Sequence, residues 1–133
     1  LKTLCIYRRG DIPCAGVGIL KTSYDLVYAY DHYYLIRPVK KGGKVFADSS
    51  LIDAPCTRDD IDYFMVPATQ LADDNDLLKG SNIILLGKLL GETGLFSMET
   101  VRKALEKNTP AKRAHTIDNN MRALGIGAEY QCK

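Results

Sequence analysis

The chain has 133 residues, 46% hydrophobic and 26% charged, which suits one globular domain that buries a core without a metal or disulfide staple. That apolar fraction and a net charge of +2 exclude a disordered chain and argue against nucleic acid as the main partner. The most apolar stretch, 83–90, is broken by Gly87 and Lys88, and a bilayer span needs about 20 apolar residues, so no membrane partner is expected. The opening Leu1-Lys-Thr-Leu-Cys has no signal-peptide pattern and no initiating Met, so the chain is expected to be processed, excised or without its true N-terminus. Cys5, Cys14, Cys56 and Cys132 are scattered without a C-x-x-C pair, which reads as structural thiols in a reducing cytoplasm.

The flanks of Cys5 read as a strand, and Tyr24 to Tyr30 reads as a buried strand of aromatic and β-branched residues. Asp31 to Val39 is expected to be a short helix or turn that is over by Arg37, because Pro38 disfavours helical geometry before it. Lys40-Lys-Gly-Gly-Lys reads as a tight reversal, followed by a strand over 44–48 that ends at Ser49-Ser50. The next strand, 62–66, is terminated by Pro67.

From there the period becomes helical. Leu71, Leu77 and Leu78 surround an acidic stretch, 73–76, read as a solvated helix face or loop. Residues 83–90 form a helix apolar on nearly all sides and therefore buried, with Gly94 as its left-handed cap. Ser97 caps a helix over 98–107 whose apolar positions are Met98, Val101, Ala104 and Leu105. Thr109-Pro110 is expected to start a last helix with apolar face Ala114, Ile117, Met121 and Leu124, ended by Gly125 or Gly127. Strands followed by helices predict an α/β fold, a three-layer open sheet with the helical C-terminal portion packed on it.

Chemistry-bearing residues are sparse. His32 and His115 have no second ligand at metal spacing, and no G-x-S-x-G elbow or P-loop is present. Arg8 and Arg9 beside Gly10 have the composition of a bidentate phosphate or carboxylate grip, or of an ordinary basic turn. Ser49 and Ser50 lie at a strand's C-terminal end, where open α/β sheets place ligands, and a plain serine turn accounts for them equally. Residues 101–133 are basic, which reads either as a solvated face or as a surface for an acidic partner or anionic cofactor.

Several segments resemble one family in order and spacing. Val66-Pro67-Ala68-Thr69-Gln70-Leu71-Ala72, Ser81-Asn82 through Leu89-Leu90 with Leu-Gly inside the helix, and Thr93-Gly94-Leu95 resemble the gamma subunit of 2-oxoacid:ferredoxin oxidoreductases. Asn120-Met-Arg-Ala123 with Gly127 is similar to that family's Asn-x-x-Ala-x-x-x-Gly ending, and 39–52 to its lysine-glycine turn, strand, Ser, Leu-Ile passage. Arg9-Gly10 resembles its Arg-Gly-Gly motif, with Asp11 where the second Gly stands. The family's opening strand, Gly-x-Gly-Gly-Gln-Gly loop and helix are not found here, so a single domain lacking that first unit, or segments joined across gaps, is expected.

The resemblance implies a non-catalytic subunit of a complex that converts a 2-oxoacid to an acyl-coenzyme A and passes electrons to ferredoxin. Thiamine diphosphate and iron-sulfur clusters would sit on alpha-, beta- and delta-type partner subunits, and coenzyme A would touch this chain. Arg8, Arg9, Gly10, Ser49 and Ser50 are the candidate contacts, with backbone donors at the helix N-terminus near Asn82. The alternatives are a stand-alone α/β module binding coenzyme A or another nucleotide, or a structural scaffold without a ligand.

Overall fold

The computed structural model describes residues 5–6, 24–29, 39–51 and 58–132, with side chains over 41–51 and 58–132. The fold is mixed α/β, and the chain divides into two compact units, Leu1–Val66 and Pro67–Lys133. The segment 31–38, read from sequence as a short helix or turn, lies outside the described residues.

The first unit is a parallel sheet of β1 (Cys5–Ile6), β2 (Tyr24–Ala29), β3 (Val39–Asp48) and β4 (Asp62–Val66), ordered β1-β2-β3-β4. On β3, Val45, Phe46 and Ala47 are all at most 1% exposed. Successive strand residues point to opposite faces, so β3 is covered on both sides, as its unbroken apolar run requires. Phe46 stacks on its directly paired neighbour Phe64, with centroids 4.8 Å apart and planes within 10°. Two residues earlier on the same face, Lys44 pairs with Asp62 at 2.5 Å and lies 5.5 Å from the centre of the Phe64 ring. Cross-strand pairs of this kind fix register, because a one-residue slip would send each partner to the opposite face.

The reversal expected at Lys40–Lys44 is not a reversal. The chain stays in β3, and two steps along β2 from Tyr24 to Leu26 match five along β3 from Val39 to Lys44. The extra residues form a bulge, with Gly42 in the left-handed region at φ 76°. A glycine pair among lysines is equally at home in a turn and in a bulge, since both need a residue without Cβ at positive φ. The Gly42 N–H donates to the Asp60 carbonyl at 2.7 Å, extending the β3–β4 pairing past Asp62. Arg58 clasps the Asp60 carboxylate through Nε at 2.8 Å and Nη2 at 2.9 Å.

The second unit contains α1 (Ala68–Asp74), α2 (Ser81–Thr93), α3 (Met98–Asn108), a 3-10 turn (Ala111–Arg113) and α4 (His115–Glu129). Pro67 ends β4, and the acidic stretch is solvated: Asp73, Asp74 and Asp76 are exposed around the turn into α2. In α2, Ile84, Leu85, Leu89 and Leu90 are buried as the sequence predicts, and Gly94 caps the helix at φ 60°. Ser97 caps α3, its Oγ accepting the Thr100 N–H at 3.2 Å. Met98, Val101 and Leu105 are half-buried, but Ala104 is exposed.

The last helix begins later and ends later than its sequence suggests. Pro110 is extended (φ −56°, ψ 144°), and Thr109 before it is extended too, as a pre-proline residue prefers. A 3-10 turn follows, and α4 starts only at His115, so Ala114 is the residue before the helix and is exposed. Neither Gly125 nor Gly127 stops it. A Cβ on Gly127 would lie 1.8 Å from the Ile84 carbonyl oxygen, and one on Gly87 would lie 2.1 Å from that of Leu124. The two glycines are where the backbones of α2 and α4 touch, and the helix runs on because its neighbour fills the space a side chain would need.

Lys88 is a buried cation, 3% exposed, among the buried apolar residues of α2. Its ammonium donates to the carboxylate of Glu92 and, at 2.8 Å, to the backbone carbonyl of Tyr130, the residue that closes α4. A carboxylate one turn along and the negative end of a helix dipole together compensate its lost hydration.

Two predictions follow from this packing. Gly127→Ala should cost about 3 kcal/mol and lower Tm by roughly 10 °C, because the α2 backbone has to move away. Gly125, with nothing within 4 Å of a built Cβ, should instead gain about 0.5–1 kcal/mol as Ala. Equal thermal behaviour of the two variants in calorimetry would contradict the contact. The second prediction concerns Asp60, whose carboxyl is held below its ordinary value of 3.8 chiefly by the Arg58 hydrogen bonds. A carboxyl so lowered stabilises the fold above pH 4 and stops doing so as pH falls through its folded value. Denaturant titrations should therefore show Asp60→Asn weaker than wild type at pH 7, with the two curves converging as pH falls through the lowered carboxyl value.

Candidate functional site

Of the residues singled out in sequence, Arg8, Arg9 and Gly10 lie outside the described residues, as does His32. Ser49 and Ser50 are described, in the turn that leaves the C-terminal end of β3. Asn82 belongs to the helical unit, in the first turn of α2. The structure thus brings the two serines together in one turn and gives Asn82 a place on another element.

The serine turn is built by a residue the sequence reading passed over. Asp48, the last residue of β3, is fully buried. Its Oδ1 accepts the Ser50 N–H at 2.9 Å, and its carbonyl accepts the Leu51 N–H at 3.1 Å. The Ser49 N–H donates to the Val66 carbonyl at 2.9 Å, carrying the β3–β4 pairing one residue past the strand. An Asp side chain that accepts the N–H two residues on makes an Asx-turn, for which Asp-Ser-Ser at a strand end is the readable signal.

This geometry limits what the turn offers a ligand. Both serine amides are spent inside the protein, so the turn is not a nest of backbone donors for an anion. What it presents is hydroxyl chemistry: Ser50 is exposed and Ser49 half-buried, over a buried carboxylate.

The start of α2 has a similar character. Gly80 precedes the helix without a side-chain cap, and its carbonyl accepts from the Ile83 N–H at 3.0 Å and the Ile84 N–H at 2.9 Å. Asn82 is half-buried there. His115 opens α4 and is exposed, and no group of three His, Cys, Asp or Glu able to hold a metal occurs among the described residues. No described helix is long and apolar enough to cross a membrane.

Residues 10–130 match the family described as pyruvate ferredoxin/flavodoxin oxidoreductase. The chain is 30% identical over 103 residues to the 2-oxoglutarate synthase subunit KorC of Methanocaldococcus jannaschii, which covers 76% of this chain and 52% of that protein. It therefore spans about half the length of the curated relative it matches. Among solved structures, the gamma subunit of a keto/oxoacid ferredoxin oxidoreductase from Geobacter sulfurreducens superposes with a TM-score of 0.65 at 22% identity, over 80% of this chain and 63% of that one. The pyruvate oxidoreductase subunit PORC of Thermotoga maritima gives 0.58 at 23% identity, over 84% and 66%. At those identities the structures speak for the fold, and the family match speaks for descent: the chain belongs to the pyruvate ferredoxin/flavodoxin oxidoreductase family.

Proposed function

We propose that this chain is the gamma subunit, or gamma domain, of a 2-oxoacid:ferredoxin oxidoreductase. The observation that carries the reading is the family match over residues 10–130, supported by 30% identity to a 2-oxoglutarate synthase subunit. In this reading the complex decarboxylates a 2-oxoacid oxidatively, transfers the acyl group to coenzyme A and delivers the electrons to ferredoxin. Thiamine diphosphate and the iron-sulfur clusters belong to alpha-, beta- and delta-type partners, and the work is done in the cytoplasm.

This chain's part is to cover the active-site region and help hold coenzyme A. Arg8 and Arg9 next to Gly10 supply guanidinium forks for phosphate, and the Ser49 and Ser50 hydroxyls add neutral hydrogen bonds. Asn82, at the start of α2, is the remaining candidate contact.

Anaerobic purification of the native protein with mass identification of its companions tests the subunit role. Recovery of thiamine-diphosphate-binding and ferredoxin-like chains is expected, and a clean monomer would overturn it. For the ligand, the paired change Arg8→Gln and Arg9→Gln should weaken coenzyme A binding by about tenfold or more in titration calorimetry. Ser49→Ala should have a smaller effect. Unaltered affinity in the double variant would remove these arginines from the site.

A further inference from the structure

Helix α3 stands apart from its neighbours. It is the one α-helix among the described residues with no buried side chain. Just before it, Leu95 is 48% exposed and Phe96 61% exposed. These two side chains are not on a loose tip. On one side Gly94 sits in the left-handed region with its N–H on the Leu90 carbonyl at 2.8 Å, and on the other Ser97 caps α3. The elbow is pinned at both ends, so the apolar pair is held in solvent by geometry.

The charges nearby are unevenly satisfied. Glu99 pairs with Lys103 at 2.6 Å, while Arg102 pairs with Glu106 at 3.1 Å and with Asp118 of α4 at 2.9 Å. The acids of this surface are thus engaged by its own cations. Lys107, Lys112 and Arg113 are exposed and form no ion pair among the described residues. Lys107 lies in the last turn of α3, a helix about 16 Å long, and Lys112 and Arg113 follow in the 3-10 turn.

We infer that Leu95, Phe96, Lys107, Lys112 and Arg113 form a docking face for a partner subunit whose surface offers an apolar recess beside a cluster of carboxylates. The inference rests on the reading of this chain as one subunit of a larger oxidoreductase. Charge complementarity selects the occupant: an apolar anchor at one end and uncompensated cations at the other match a protein surface with separate apolar and acidic zones. A phosphate backbone asks for cations along the whole tract, and the elbow has none. A membrane asks for an outward apolar stripe, whereas Met98, Val101 and Leu105 are the half-buried side of α3.

The test uses the anaerobically purified native complex and the isolated chain. Hydrogen exchange over 95–113 should slow at least severalfold in the complex relative to the isolated chain. Binding of the isolated chain to the co-purified partner subunits is then compared at low and high salt. The triple change Lys107→Glu, Lys112→Glu, Arg113→Glu should weaken it by about tenfold or more and flatten its salt dependence, while Lys107→Arg with Lys112→Arg retains it. Phe96→Ser should weaken binding with the salt dependence kept. A complex that forms with unchanged exchange over 95–113 and full affinity in the triple variant would overturn the docking face and leave the subunit reading intact. Slow exchange already present in the isolated chain, or protection by a single-stranded oligonucleotide or anionic vesicles instead of the subunits, would also overturn it. Failure to recover any complex would take down both.

Discussion

The helical unit depends on one contact, the approach of α2 and α4 at Gly87 and Gly127. A Cβ at either position would lie about 2 Å from the other helix's carbonyl oxygen, well inside any van der Waals distance. Bare backbone at both positions lets the helices come close enough for Ile84, Leu89 and Leu124 to be buried to within 2% exposure. The same closeness lets Lys88 reach the Tyr130 carbonyl, so the buried cation is satisfied by the helix that buries it. Glycine inside a helix costs about 1 kcal/mol relative to alanine. At Gly127 that cost is offset by packing that no other residue permits, and at Gly125 nothing in the surroundings offsets it.

The parts legible in sequence were those whose signal has one cause. Val45-Phe46-Ala47 reads as part of a strand because an apolar run after a lysine-glycine segment and before Ser49-Ser50 fits a pleat, and the structure shows it buried on both faces. Ser97 and Gly94 read as caps because their side chain, or lack of one, answers a known gap in helix hydrogen bonding. Misreadings came where one residue type serves two geometries. Gly42-Gly43 signals a turn or a bulge, and only the β2–β3 register decides. Gly127 signals a helix end or a helix contact, and only the partner helix, forty residues earlier, decides. Pro110 suits a helix's first turn or the extended residue ahead of a 3-10 turn.

The candidate site was legible in outline only. The Ser49-Ser50 turn stood out because hydroxyls at a parallel strand's C-terminal end are well placed for ligands. What that reading missed is that Asp48 builds the turn and that β4 takes up the Ser49 amide. Sequence proximity names the donors, but it does not say which are already spent. The turn is therefore a place for hydroxyl contacts and not for a backbone anion cradle.

The motif residues that link this chain to its family have an equally mixed meaning. The Leu-Gly inside α2 contains Gly87, and the Asn-x-x-Ala-x-x-x-Gly ending contains Ala123 and Gly127, all three buried. Gly94 of the Thr-Gly-Leu segment is a helix cap at positive φ. Each of these has a complete structural reason, so the pattern in the C-terminal half records how two helices cross and how one ends. It carries descent without carrying chemistry. Leu95, by contrast, completes the Thr-Gly-Leu segment and remains 48% exposed, with nothing in its own unit to account for it. In a family pattern otherwise spent on packing, this one apolar member is left in solvent, as the docking face inferred above requires.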